Sequence, residues 1–172
     1  MSLAAQAHGL RADVRVVLNS TPPPGVEVQV HQDFIGPQLV LRNRSGQALE
    51  ILDAQGRAFL RIGPRRAEGD IATEIFHLSR ETAGADLNPA LLSSQPRWQR
   101  VNTEPSFGWF DPRIAVAALE VPAALRQLGE ALPFGEWRVP ARLGGQPLEL
   151  RGMFVYQPPP AGYVLTRLAQ AQ

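Results

Sequence analysis

The sequence predicts an all-β domain: an antiparallel β-sandwich with one long loop and at most short helices. Three observations predict it. Apolar residues recur at every second position in successive short runs, turns bearing glycine or proline separate the runs, and the last two runs meet at Gly144-Gly145. A strand buried on one face requires period-two alternation, because successive side chains point to opposite faces. Short strands at regular spacing argue for a sandwich and against an α/β fold.

Val14, Val16 and Leu18 alternate, as do Val26, Val28 and Val30, with Glu27, Gln29 and His31 on the other face. Between these runs, Thr21-Pro22-Pro23-Pro24-Gly25 is a breaker that neither strand nor helix tolerates. Residues 39–43 form a third strand, closed by a turn at Arg44-Ser45-Gly46. Residues 49–53 and 58–62 follow, joined by Ala54-Gln55-Gly56, and complete a meander. Residues 71–78, rich in β-branched and aromatic side chains, read as a further strand. Residues 81–97 carry Gly84, Asn88, Pro89, Ser93, Ser94 and Pro96 and read as a long loop, which in a compact domain is often functional.

Residues 98–101 read as a short strand, and 102–114 as a loop dense in aromatics, prolines and charges. A short helix is expected over 122–132, with Pro122 at its first position and Leu125, Leu128 and Leu132 on one stripe. The last hairpin is the clearest element. Trp137, Val139, Ala141 and Leu143 alternate up to the Gly-Gly turn, and Leu148, Leu150, Gly152, Phe154 and Tyr156 alternate back. Pro158-Pro159-Pro160 then removes three backbone donors and ends the ladder. Val14, Val16, Val26, Val28, Leu39, Leu41, Leu60, Leu150 and Phe154 are the expected core.

Composition limits the function. The 17 basic residues, all arginine, nearly cancel the 16 acidic ones, so there is no basic excess of the kind that marks a nucleic-acid binder. The chain has no cysteine, which excludes disulfides, thiolate metal sites and cysteine nucleophiles together. No stretch approaches the roughly 20 apolar residues that span a bilayer. Met1-Ser2-Leu3 resembles an expression scar, and Ala5-Gln6-Ala7 fits the small-x-small pattern before a signal-peptidase cut. The expected division is therefore a remnant over 1–7, a sandwich over 8–160 and a tail over 161–172. In that tail Tyr163, Val164, Leu165, Leu168 and Ala169 fall near helical spacing, as in a stalk leading to a membrane anchor.

Standard catalytic motifs are absent: there is no G-x-S-x-G elbow, H-E-x-x-H or P-loop. His31 and His77 read as ordinary surface and strand-end residues. The most unusual stretch is Glu104 to Arg113. Its Trp109, Phe110, Asp111 and Arg113 either line a ligand site or serve structure. In the structural reading Trp109 and Phe110 plug one end of the sandwich, while Asp111 and Arg113 pair and tie the loop down. A separate candidate is His8. After a cut at Ala7 its α-amino nitrogen and imidazole would form a chelating pair suited to Cu(II), with His31, His77 or Asp111 as a third ligand.

The order of short motifs resembles a largely uncharacterised family of exported, membrane-anchored bacterial proteins with an immunoglobulin-like domain. The matching residues are Ala7-His8-Gly9, Asn43-Arg44-Ser45-Gly46, Gly56 to Ile62, Leu87-Asn88, Pro96-Arg97-Trp98, Glu104-Pro105, Trp137-Arg138-Val139-Pro140, Gly152 and Pro158-Pro159. They cover residues 7–160. Where that family often carries Trp-His-Asp-His-Arg-x-His, this chain has Trp109-Phe110-Asp111-Pro112-Arg113-Ile114-Ala115, keeping Trp, Asp and Arg and losing every histidine. The resemblance implies an immunoglobulin-like sandwich, exported to the periplasm or the outer face of the inner membrane. The functional expectation is a non-catalytic binding or scaffold module for an envelope protein or small ligand. The alternative is a copper-binding protein using His8, and an enzyme with an unfamiliar site is the third reading.

Overall fold

The structure is a computed structural model and describes residues 12–80 and 89–159. Among the described residues ten strands form two antiparallel sheets, with only short helical segments between them. In chain order the strands are β1 (Val14–Leu18), β2 (Val26–Gln32), β3 (Pro37–Asn43), β4 (Leu49–Leu52), β5 (Ala58–Ile62), β6 (Ala67–Asp70), β7 (Trp98–Asn102), β8 (Ser106–Trp109), β9 (Pro133–Leu143) and β10 (Gln146–Tyr156). The larger sheet runs β1-β10-β9-β4-β5-β6-β7 and the smaller β2-β3-β8. The chain therefore crosses between sheets after β3 and returns at β8. In this order β2, β3 and β8 take the places of strands A, B and E of an immunoglobulin sandwich, and β4, β9 and β10 those of C, F and G.

The core lies between the sheets. Val14, Val16, Val26, Leu39, Leu41, Leu60, Leu150 and Phe154 are all buried, together with Phe59, Ile62, Trp109, Ile114 and Trp137. Val28 is half-buried, because β2 is an edge strand that the larger sheet covers only in part. The last hairpin has the expected register, with Leu143 opposite Gln146 and positive φ at Gly144 and Gly145. Gly152 stands opposite Trp137, and a Cβ there would overlap both the indole and the Val17 carbonyl. The glycine thus makes room for the largest side chain of β9.

Three expectations are corrected. Residues 71–78 are not a strand: the ladder ends at Asp70, and a one-turn helix, α1 (Glu74–Leu78), follows. The cause lies in Asp70, whose carboxylate accepts the Ala72 N–H while its carbonyl accepts both the N–H and the hydroxyl of Thr73. That turns the chain and drops Phe76 onto Gly69, where no Cβ stands in its way. Residues 102–114 are not one loop, since β8 pairs with β3 from Leu39↔Trp109 to Arg42↔Ser106. The later helix, α2 (Ala123–Leu128), is shorter than expected and flanked by Pro122. Its stripe is not a buried one: Leu125 is half-buried but Leu128 is exposed. The described part of the long loop, 89–97, carries a 3-10 turn at Pro89–Leu91. Residues 81–88, His8 with the 1–7 remnant, and the 161–172 tail lie outside the described residues.

Candidate functional site

The chemistry-bearing side chains gather around the β4–β5 hairpin, at the end of the sandwich where β3 begins and β10 finishes. Two buried aspartates brace this hairpin, one on each side.

The first is Asp111, which caps a 3-10 turn at Pro112–Ile114 by accepting the Arg113 N–H. Its Oδ1 also accepts Arg113 Nε at 2.7 Å, and its Oδ2 accepts Arg113 Nη2 at 2.7 Å and Trp109 Nε1 at 2.9 Å. Arg113 Nη1 donates to the Leu52 carbonyl at the end of β4. Trp109 and Phe110 are buried beside this pair. The pairing expected of Asp111 and Arg113 is present. With four donors on its two oxygens and almost no exposed surface, the carboxylate has no lone pair left for a metal. Asp111 is therefore removed as the third ligand considered for copper at His8.

The second aspartate, Asp70, carried no signal beyond ordinary charge. It is fully buried at the end of β6. Its Oδ1 accepts the backbone N–H of Ala72 and of Arg97, and its Oδ2 accepts Arg57 Nη2 at 2.7 Å. Arg57 Nη1 continues to the Ser93 carbonyl, and the Ser93 N–H donates to the Ala72 carbonyl. The second half of the long loop is thus strapped to the sandwich through one carboxylate.

Between the hairpin tip and this strapped segment lies an open cleft of about 500 Å³. It is lined by Asp53, Gln55 and Arg57 of the hairpin, by Thr73, Glu74 and Ile75, and by Leu92 and Ser93 of the long loop. Its size falls within the range of small-molecule sites. The tip is rigid: Asp53 Oδ1 accepts the N–H of both Gln55 and Arg57. Among the described residues no serine or threonine hydroxyl is hydrogen-bonded to a histidine or a carboxylate, and no three His, Asp or Glu side chains could hold a metal ion together. His77 Nε2 bonds the Ile71 carbonyl, and His31 is exposed on β2.

Other matching motifs prove to be joints. Asn43 Nδ2 donates to the carbonyls of Gln47 and Ile62, and its Oδ1 accepts the N–H and hydroxyl of Ser45. Trp98 lies under the Arg61 guanidinium, with Arg61 Cζ 4.2 Å from the ring centroid. The Pro105 carbonyl accepts the Asn43 N–H.

The fold and the site define an all-β, sandwich-like domain with a cleft at one end, beside a hairpin braced by two buried aspartates, each paired with a partly exposed arginine. Comparison with protein-family models, curated proteins and solved structures finds no match for the chain. Among the described residues no helix is long and apolar enough to cross a membrane.

Proposed function

We propose that this domain is a non-catalytic binding module of the bacterial cell envelope, which seats a small ligand or a segment of a partner protein in the cleft beside the β4–β5 hairpin. In this reading it works in the periplasm or at the outer face of the inner membrane, tethered through a C-terminal anchor. One observation carries the binding role. A buried carboxylate, Asp70, together with Arg57 fastens the second half of the long loop beside the hairpin, so that fixed segments wall the cleft. Preformed concavity is what a binding site needs, because it lowers the ordering cost of association. The motif order that resembles exported proteins supports the location.

A photo-crosslinking residue placed at Gln55, on the cleft rim, tests the role in envelopes of the source cell. The expected result is an adduct that is lost when the same residue is moved to Arg65, exposed in the β5–β6 turn at the opposite end of the sandwich. Equal labelling at both positions, or reproducible turnover in a substrate screen, would overturn the reading.

A further inference from the structure

We infer that β2 is a pairing edge: two copies of this chain associate through antiparallel β2–β2 pairing about a two-fold axis at Gln29, joining their three-stranded sheets into one. In the β2–β3 ladder the backbone groups of Glu27, Gln29 and His31 turn toward β3. The same register continues into two bonds that fix this alternation, from the Arg44 N–H to the Gly25 carbonyl and from the Asp33 N–H to the Gly36 carbonyl. The N–H and C=O groups of Val28 and Val30 therefore point away from the sheet. β2 ends that sheet, and among the described residues nothing bonds these outward groups.

The other sheet edges are closed or short. On β1 the Gln32 side-chain amide accepts the Val16 N–H and donates to the Val14 carbonyl, so it occupies the outer edge. β7 has five residues, carries Arg100, and meets β6 through a bulge. β8 has four residues, one of them glycine. Proteins blunt exposed edges with such devices, because an open edge recruits another strand. β2 runs for seven residues with no proline, no bulge in its ladder and one charge, Glu27.

The strand is also its own complement. Outward backbone groups belong to even-numbered residues, so each pairs with an even-numbered residue of the second copy. The register that uses the whole strand sets Val28 against Val30, Val26 against Gln32, and Gln29 against itself. On the exposed face it sets Glu27 against His31, an acceptor against a donor, and symmetry repeats the contact. Sliding one copy by two residues either sets Glu27 against Asp33, two acids, or leaves His31 and Gln32 beyond the partner strand. Within one copy Glu27 faces Arg42 across the ladder and lies 3.7 Å from Arg44, while His31 faces uncharged Gln38. The whole-strand register thus opposes no two acids. Continued past the strand, it brings Phe34, 80% exposed in the β2–β3 turn, level with Pro24 of the second copy. This self-complementarity favours a second copy over a foreign strand. No residue of the cleft takes part.

Sedimentation equilibrium of the full chain at rising concentration tests the pairing, with circular dichroism to confirm that each variant is folded. Wild type is expected to show a reversible monomer–dimer equilibrium. Gln29 is exposed and meets its own copy, so Gln29→Arg and Gln29→Glu should each weaken the dimer about tenfold or more by self-repulsion. An equal mixture of the two should regain it as a heterodimer. Val28→Pro removes an outward N–H, keeps the bonds to β3, and should also yield monomer. Wild type that stays monomeric up to about 1 mM would overturn the inference, whether or not a foreign strand binds. So would Gln29 variants that dimerise as tightly as wild type, or a mixture no tighter than its parts.

Discussion

Arg113 encloses Asp111 with two parallel 2.7 Å bonds and spends its remaining nitrogen on the Leu52 carbonyl, 61 residues away in the chain. One planar guanidinium therefore joins the turn after β8 to the end of β4. Lysine cannot do this, because its ammonium is a point charge without a fork. Asp111→Ala strips the partner from Arg113 and from the buried Trp109 indole, and is expected to cost about 3 kcal/mol or more. Arg113→Lys is expected to cost less, about 1–2 kcal/mol, because charge is kept and the bidentate geometry lost. Urea unfolding of both variants checks this. Equal midpoints for wild type and Asp111→Ala would show that the pair contributes nothing.

Asp70 makes a separate, local prediction. Asp70→Ala removes the acceptor of the Arg97 and Ala72 N–H groups and the partner of Arg57. Amide exchange at Arg97 and across 89–97 is expected to rise strongly, while exchange in β9 and β10 changes only with global stability. Arg57→Lys should loosen the same segment less, because Arg97 and Ala72 keep their acceptor. Unchanged protection at Arg97 in Asp70→Ala would refute the strap.

Gly152 is the third test. Alanine there would meet the Trp137 indole on one side and the Val17 carbonyl on the other, and neither is the free end of a flexible chain. Overpacking of this kind is expected to cost about 1–3 kcal/mol, and more if the β1–β10 pairing is pushed apart. Gly145→Ala serves as a comparison, since its Cβ meets nothing but its φ is positive. Thermal unfolding should rank Gly152→Ala as the more damaging.

The ladder was legible wherever one face is buried and the other wet. The alternation from Trp137 to Tyr156 marks the last hairpin, and its Gly-Gly turn marks where it reverses. Local chemistry was legible too: Asp111 and Arg113 are two residues apart, so their pairing could be read from the chain. What failed was decided at a distance. The 71–78 segment has strand-like side chains, but Asp70 turns it before any neighbour can pair with it. Strand β8 is four residues long, holds a glycine and gains its identity from β3, far back in sequence. Asp70 itself was missed because its partners lie 13 and 27 residues away, and no spacing rule links them. The cleft it supports was accordingly invisible, although the long loop that walls it was not.

The last prediction concerns Asn43, which is fully buried where β3 hands the chain to the other sheet. Its amide is used at both ends. Nδ2 gives one hydrogen to the Gln47 carbonyl and one to the Ile62 carbonyl, each at 2.7 Å, while Oδ1 takes the Ser45 N–H and hydroxyl. The same side chain therefore shapes the β3–β4 turn and fastens it to β5. Asn43→Ala leaves two carbonyls and the Ser45 N–H without these partners, and is expected to cost about 2–4 kcal/mol. Asn43→Asp should be worse, although it is nearly the same shape. An ionised carboxylate only accepts, so one of its oxygens would face two carbonyl oxygens in a buried site. The ordering Asn above Ala above Asp, read from denaturation midpoints at neutral pH, is the expected outcome. Asn43→Asp should recover part of the loss in acid, because a protonated carboxyl can donate once. An aspartate variant as stable as wild type at neutral pH would show that the Gln47 and Ile62 bonds do not hold this corner.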